Sequence, residues 1–381
     1  MEFIVNSQHL SKQLQAVSSI ITQNNTVPII SHFFFHIDGD VLTVKSTDLD
    51  TTIVARIDLE SGRAGELNEL CVPSKLLLDI LKNMDDVPLT FSANDKTYAI
   101  TITSGEGKYT LSGQSAETYP TLPEMEEPVS ISLPASALVD AIGKTAFACS
   151  NDDLRQQMGG IFCQMNQQGT TFVATDAHKL VRYCRTDLKN DNDASFILPR
   201  KPVTIVKNIL SSRKEDCEVT MSYNTINVSF AFDNMFVLCR LVEGKYPNIE
   251  AAIPKENPNK LLVDRNSLLN TLRRVSLFAS QSTHQVRLSM SERELTISSE
   301  DLEFSNNANE KLPCRYEGES MSIGFNARFL TEMVSNVDTE SIEIDMSHPN
   351  RAGILFPVYE DSEEHKNEDI LMLVMPVMLA N

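Results

Sequence analysis

The sequence predicts an α+β chain built from three copies of one module, each with two helices packed on antiparallel sheet. Three observations predict it: like words recur at one long spacing, two helical patterns recur within each copy, and much of the remainder alternates between apolar and polar residues. The words CVPSKLLLDILKNM, ILPRKPVTIVKNIL and IGFNARFLTEMVSNV align with Lys75, Lys201 and Arg328 in register, at spacings of 126 and 127 residues. A second register, VKSTDLDTT, FVATDAHKL and ISSEDLEFS, sets Asp48, Asp176 and Asp301 at spacings of 128 and 125. Tyr119-Pro120 and Tyr246-Pro247 add a third register at 127, and the 381 residues are three such periods. Independent registers sharing one period mark a repeated structural unit. Polar, proline-bearing stretches at 126–130 (EEPVS) and 254–260 (PKENPNK) place the boundaries, giving modules 1–126, 127–254 and 255–381.

Each module opens with a helix. Leu10, Leu14, Val17 and Ile21 in the first copy, Leu138 and Ile142 in the second, and Leu268, Leu272 and Val275 in the third fall three or four apart, on one helical face. Ser7 and Asn266 suit the N-caps of the first and third of these helices, and Pro134 suits the start of the second. A second helix follows mid-module, with apolar stripes Leu77, Leu81 and Met84, then Val203, Val206 and Leu210, then Leu330, Met333 and Val337. Period-two alternation marks half-buried strands. It runs through Tyr98, Ile100 and Ile102, through Val219, Met221 and Tyr223, through Ile226, Val228, Phe230 and Phe232 after a turn at Asn224, and through Ile342, Ile344 and Met346. The acidic stretch YEDSEEHKNED (359–369) reads as a solvated hairpin tip.

With 41% hydrophobic residues the chain can bury two or three cores. The net charge of −19 excludes a uniformly basic nucleic-acid binder, but leaves room for a local basic face inside an acidic shell. Seven scattered cysteines without a CxxC pair argue against a disulfide or zinc framework and for a reducing compartment. MEFIVNSQHL has no basic segment followed by an apolar run, and no apolar stretch is long enough to span a bilayer, so the expected location is the cytoplasm.

Sequence words for hydrolase, P-loop, zincin and dinucleotide sites are absent, and neither a cofactor nor a metal is implied. Asp176 and His178, two apart, have the chemistry of a metal-ligand or acid–base pair. Asp176 aligns with Asp48, however, where the residue two further on is Asp50 and not histidine. A turn aspartate common to the repeat is the reading preferred. His32 and His36 share the HxxxH spacing within strand-like HFFFH and lack a third ligand, so they read as structural.

The order and spacing of further words resemble the β subunit of bacterial DNA polymerase III, the replicative sliding clamp family, along the whole chain. The words are MEFIV, TVPII and STDLD in copy one; ATDAHKL, LPRK and LVEGKYPNI in copy two; and VRLSMSE, IGFNARFL and LVMPVML in copy three. The resemblance implies the DNA clamp fold, closed as a head-to-tail dimer into a ring of six modules with helices lining the hole. Twelve helices spaced about 10 Å apart give a circle about 38 Å across at the axes, and about 28 Å remains after subtracting a helix diameter, room for a duplex and water. The contact would be heterologous, closing by rotation. It would place Tyr109 and Leu111 of one copy against Leu277 and Phe278 of the other.

The family likeness further implies a hole lined by Lys12, Lys75, Lys82, Arg200, Lys201, Lys207, Arg273 and Arg274, holding duplex DNA through loose phosphate contacts without base readout. It implies an outer groove in which the polymerase, the clamp loader and repair proteins dock short peptides. The matching positions are Met158, Thr175, Ala177, His178, Lys179, Leu180, Pro247, Asn326, Phe329, Leu373, Val374, Met375, Pro376, Val377 and Met378. Methionines on such a rim suit several peptides because they repack easily. Three departures bear on detail: Gln156-Gln157 stand where aromatic residues are common in the family, Ala251-Ala252 where an arginine is common, and Asn24-Asn25 in place of a basic loop. The function implied is a non-catalytic ring that makes a polymerase processive. The alternatives are a triplicated interaction scaffold that never encircles DNA, and an enzyme centred on Asp176 and His178.

Overall fold

The fold was obtained as a computed structural model, which describes residues 1–21, 26–65, 67–360 and 365–379. The Asn24-Asn25 departure and part of the 359–369 stretch lie outside them. The first third runs β1 (Glu2–Asn6), α1 (Ser7–Ser18), β2 (His32–Asp38), β3 (Val41–Thr47), β4 (Thr51–Asp58), β5 (Ser61–Arg63), β6 (Glu69–Pro73), α2 (Ser74–Lys82), β7 (Pro88–Ala93), β8 (Ala99–Ser104) and β9 (Gly107–Ser112). The middle third follows the same order: β10 (Val129–Pro134), α3 (Ala135–Thr145), β11 (Gly160–Asn166), β12 (Gly169–Thr175), β13 (Lys179–Arg185), β14 (Ala194–Pro199), α4 (Arg200–Ser211), β15 (Glu218–Tyr223), β16 (Asn227–Phe232) and β17 (Met235–Arg240). The last third repeats it with small additions: β18 (Asn259–Asp264), α5 (Arg265–Val275), β19 (Gln285–Ser291), β20 (Glu294–Asp301), β21 (Asn306–Pro313), β22 (Arg315–Glu317), β23 (Met321–Asn326), α6 (Ala327–Ser335), β24 (Ser341–Met346), β25 (Gly353–Val358), β26 (Glu368–Val374) and β27 (Pro376–Val377).

The helical stripes are core. Leu10, Leu14, Val17, Leu138, Ile142, Leu268, Leu272 and Val275 are essentially inaccessible to water, and α1 packs on α2 as α5 packs on α6. The capping residues differ from those expected. Asn6 caps α1 by accepting from the His9 amide at 2.9 Å, while Ser7 is already helical and its hydroxyl bonds the Asp85 carbonyl at 2.7 Å. Asp264 caps α5, accepting from Ser267 N at 2.7 Å, and Asn266 lies inside the helix. A cap needs extended backbone, and in both cases the residue that ends the preceding strand supplies it.

Helix ends also fall short of the apolar patterns. Ile21, Met84 and Val337 lie beyond α1, α2 and α6, although Val337 is still buried. Tyr98 precedes β8 with a left-handed φ of 54°, so the alternation there starts one residue later. Ile226 sits exposed in the turn closed by Asn224, whose side-chain oxygen accepts from Ile226 N and Asn227 N, and β16 begins at Asn227.

The chain forms two compact units, Met1–Val139 with Lys201–Leu241, and Asp140–Arg200 with Val242–Asn381. The division cuts the middle third because sheet hydrogen bonds cross the repeat boundaries. In the first unit the strand orders are β5-β1-β7-β8-β9 and β10-β15-β16-β17-β4-β3-β2-β6. In the second they are β14-β11-β12-β13-β26-β25-β24-β18-β22 and β21-β20-β19-β23-β27. All pairings are antiparallel, and neighbouring strands are joined mainly by tight hairpins. Within each unit, therefore, one large sheet joins strands from two repeats: β4 to β17 (Thr51 opposite Cys239), and β13 to β26 (Lys179 opposite Val374).

Candidate functional site

The turn aspartates expected from the repeat each accept amides of the turn that follows them. Asp48 Oδ1 accepts from Thr51 N at 2.8 Å, Asp176 Oδ1 from His178 N and Lys179 N at 2.9 Å, and Asp301 Oδ1 from Glu303 N at 3.0 Å. An aspartate accepting its own turn's amides has its carboxylate spent on structure. The tyrosines of the Tyr-Pro words repeat as well: Tyr246 donates to the Val173 carbonyl at 3.3 Å and Tyr119 to the Lys45 carbonyl at 3.4 Å, positions 128 apart. His36 pairs across strands with Glu69 at 3.1 Å, and among the described residues no three His, Cys, Asp or Glu side chains cluster as a metal site.

The groove is built on the turn between β12 and β13. Ala177 takes a left-handed φ of 76°, which turns the chain so that the His178 ring stacks on Phe329 of α6, with centroids 5.7 Å apart. Lys179 starts β13 and points inward. Its ammonium, almost wholly buried, donates to the Phe147 carbonyl at 3.1 Å and to Glu332 of α6, with Asp176 at 3.8 Å. It also lies over the rings of Phe147 and Phe329 at 5.7 and 5.5 Å. A buried ammonium needs such a set of partners, since an unpaired charge there would be very costly.

β26 pairs with β13, and the Met375 amide then donates to the His178 carbonyl at 2.8 Å, bringing the C-terminal segment onto the turn. The segment continues as β27, with Pro376 opposite Phe325 and Val377 opposite Gly324. A Cβ on Gly324 would meet the Val377 carbonyl oxygen at 2.5 Å, so the close approach of β27 requires glycine there. Asn326 caps α6 by accepting from Arg328 N at 3.0 Å, which fixes the helix turn that carries Phe329.

The expected groove residues thus divide in two. Thr175, Leu180, Leu373 and Val374 are buried: the Thr175 hydroxyl is committed to the Lys179 carbonyl, and Leu180 and Leu373 join an apolar floor with Val173, Ile197, Tyr246 and Ile354. The rim is formed by exposed Ala177, His178, Met375 and Met378 and by half-buried Met158, Pro247, Asn326, Phe329, Pro376 and Val377. Sequence reasoning missed Glu332, which holds Lys179, and half-buried Ile249, Ile253 and Phe356 packed on the floor. It also missed Leu154, almost wholly exposed in the 3-10 turn Asp153–Met158 that carries Met158, Gln156 and Gln157. The four-residue spacing of Ile249 and Ile253 after Tyr246-Pro247 was the available signal.

The basic candidates sit on helices α1 (Lys12), α2 (Lys75, Lys82), α4 (Arg200, Lys201, Lys207) and α5 (Arg273, Arg274). Lys12, Lys75, Lys82, Lys201, Arg273 and Arg274 are exposed and Lys207 is half-buried. Three have protein partners: Arg200 donates to Asn151 at 2.7 Å, Lys201 lies 3.4 Å from Asp48, and Arg274 grips Glu310 with two bonds of 2.6 and 2.8 Å. In the first unit a cleft of about 900 Å³ between α1 and α4 is lined by Lys12 together with Arg213 and Lys214, which the sequence reading had not singled out. Arg213 is paired with Asp233.

Two outer strands are paired on one side only, where their counterparts in the other repeats are paired on both. Among the described residues β9 pairs only with β8, and β21 only with β20. Beside them stand exposed apolar side chains: Tyr109 on β9 is 39% exposed, and Leu277 in the 3-10 turn against β20 and β21 is 81% exposed, with Phe278 beside it. Leu111, by contrast, is only 2% exposed and belongs to the core of its own sheet.

Three like modules of helix pairs on antiparallel sheet, joined edge to edge, define the DNA clamp fold. A sliding clamp from Pseudomonas aeruginosa solved in complex with griselimycin matches over the whole of both chains, with a TM-score of 0.92 and 25% identity. The DNA polymerase III β subunit of Thermotoga maritima matches with a TM-score of 0.89 at 23% identity, also over both whole chains, and shows the same fold.

Family models extend the assignment from fold to lineage. Those for the N-terminal, central and C-terminal domains of the DNA polymerase III beta subunit match residues 1–123, 132–248 and 250–377, and the chain belongs to that family. Curated relatives named "Beta sliding clamp" from Pseudomonas aeruginosa and Synechococcus elongatus are each 26% identical to it, with both chains covered throughout.

Proposed function

We propose that the chain is a replicative sliding clamp: two copies close head to tail around duplex DNA and tether a polymerase and other proteins through the groove beside His178 and Met375. It is a non-catalytic processivity subunit and acts in the cytoplasm. No helix of the described residues is long and apolar enough to cross a membrane, which fits that location. The units of the ring are modules 1–126, 127–254 and 255–381.

The observation that carries the reading is the pair of bare edges. The strand corresponding to β9 in the other two repeats, β17 or β26, is paired with a strand corresponding to β21, β4 or β13. Among the described residues only the third such pairing is missing within one chain, and a second copy supplies it twice, so that neither β9 nor β21 is left as an edge. Tyr109, Leu277 and Phe278 then bury their exposed surface, and Leu111 contributes backbone and packing from beneath. The rim of the groove, largely apolar with exposed methionines, suits short peptides with apolar anchors.

The DNA contacts come from Lys12, Lys75, Lys82, Arg200, Lys201, Lys207 and Arg273 on the helices. Arg274 contributes least, being already held by Glu310. Enclosure supplies the grip, so weak phosphate contacts are sufficient and permit sliding. Solution mass tests the closure: a particle of 2 × 42.5 kDa supports it, and a monomer at micromolar concentration overturns it in favour of an open scaffold.

A further inference from the structure

The three hairpin turns that follow β3, β12 and β20 are equivalent, but one of them is longer. Ser46 lies opposite Ile53 across the first turn, Ala174 opposite Val181 across the second, and Ser299 opposite Ala308 across the third. Ser46 and Ser299 are matched independently of alignment, because their hydroxyls donate to the last-turn carbonyls of α1 (Val17) and α5 (Val275). The paired residues are seven, seven and nine apart, so the third turn carries two extra residues. It also carries Leu302 and Phe304, which are 78% and 66% exposed.

The shorter turns show what such a turn touches. Asp48 meets Lys201 in the first turn of α4 at 3.4 Å, and His178 stacks on Phe329 in the first turn of α6. Each turn therefore reaches the second helix of the next module. In α2, the residue at the Phe329 position is Leu76, one after the aligned basic residue, and it is 50% exposed. The ladders fix the register too. Thr51 faces Cys239 and Ile53 faces Val237, while Lys179 faces Val374 and Val181 faces Met372. Carried through the strand equivalences, Ile53 and Val181 become Ala308, and Val237 and Met372 become Tyr109.

We infer that the lengthened turn Leu302–Ser305 is a hook that seats Leu302 and Phe304 on Leu76 of the partner subunit, in a ladder that sets Ala308 opposite Tyr109 of the partner subunit. The inference rests on the ring reading and adds to it the register and an apolar lock that the two internal junctions lack. Exposed large apolar side chains grouped on one short turn, next to an unpaired edge, are a surface awaiting a partner. The occupant is a second copy of this chain, because the complementary edge and the exposed leucine both lie on the chain itself. The hook stands on solvent-facing residues, so replacing them leaves the fold of each unit intact.

Two experiments test this on the full-length chain. The first measures the dimer dissociation constant by sedimentation for wild type, Leu302→Ser/Phe304→Ser and Leu76→Ser. Each variant is expected to weaken the dimer about tenfold or more, and the combination by less than the product, because both remove one contact. The second oxidises Ala308→Cys/Tyr109→Cys and, as the register control, Ala308→Cys/Lys108→Cys. Directly opposed strand residues lie within disulfide reach and adjacent ones point to opposite faces, so only the first pair is expected to form a covalent dimer, with wild type as the blank for native cysteines. A wild-type dimer unaffected by all three serine variants overturns the hook alone. Cross-linking by the Lys108 pair and not the Tyr109 pair overturns the register. A monomeric wild type overturns the ring reading beneath both.

Discussion

Glu332→Ala removes the closest partner of the Lys179 ammonium and leaves that charge almost wholly buried. Breaking a buried ion pair by deleting one member costs about 3–5 kcal/mol. Two features of this site lower the figure. The Glu332 side chain is more than one-third exposed, so solvent already screens part of the attraction, and Asp176 remains 3.8 Å from the ammonium. The expected loss is about 1–3 kcal/mol, and for a unit of about 200 residues each kcal/mol lowers Tm by about 2–4 °C. Lys179→Met is expected to cost less, because the orphaned Glu332 carboxylate can hydrate and the methionine stem keeps most of the packing. The double variant should cost less than the sum of the two, since no unpaired buried charge remains. Urea unfolding monitored by circular dichroism gives all three values. If Glu332→Ala unfolds within about 0.3 kcal/mol of wild type, within the range of an ordinary surface change, while Lys179→Met is severely destabilised, the ammonium is not held as described and the rigidity of the groove turn needs another source.

Three further outcomes follow from the geometry. Burial pushes the Glu368 carboxyl up, but the Lys144 ammonium 2.7 Å away, with Tyr183 and Arg185, outweighs it and holds the group below its ordinary value of 4.5. A carboxyl depressed on folding adds stability above its unfolded pKa and loses it as pH falls through the folded one, so wild type should weaken below about pH 4.5 and Glu368→Gln should show a shallower acid-side loss from a lower plateau in pH-dependent unfolding. In the groove, His178→Ala and Met375→Ala should each weaken binding of a short apolar peptide by about 5–30-fold in a fluorescence titration, whereas Met346→Leu, deep in the core of β24, should leave it unchanged. On the helices, Lys207→Ala and Arg273→Ala should each reduce the slope of log affinity against log salt by about 1 in equilibrium binding to a short duplex, while Arg274→Ala, already satisfied by Glu310, should change it little.

Much of the fold is legible in the sequence because repetition amplifies weak signals. No single copy establishes the turn aspartate, yet Asp48, Asp176 and Asp301 in register identify it, and in the structure each accepts amides of its own turn. Helical stripes are legible for the same reason: spacing decides which side chains share a face, and Leu10, Leu14 and Val17 have nowhere to go but inward. Caps are less legible, since Asn6 and Asp264 win over Ser7 and Asn266 by standing where strand backbone ends, which composition does not reveal. In the groove the positions are legible but not their division of labour: Lys179 and Val374 read only as groove positions, and both are buried, the first as a paired cation and the second as core. The bare edges of β9 and β21 are not legible in the alternation, because edge or centre is a property of pairing; only the family likeness, which sets Tyr109 and Leu111 at an interface, points to one of them. The two extra residues ahead of Ala308 become visible only once the ladders count them.

Retention on DNA tests the central claim most directly. The ring, loaded onto a nicked circular plasmid and passed through a gel-filtration column in high salt, should stay with the DNA, because salt screens phosphate contacts and leaves topology untouched. Cutting the plasmid once before the column should release it through the free ends. Equal retention on circular and linear DNA, or equal loss from both, would contradict enclosure as the source of the grip.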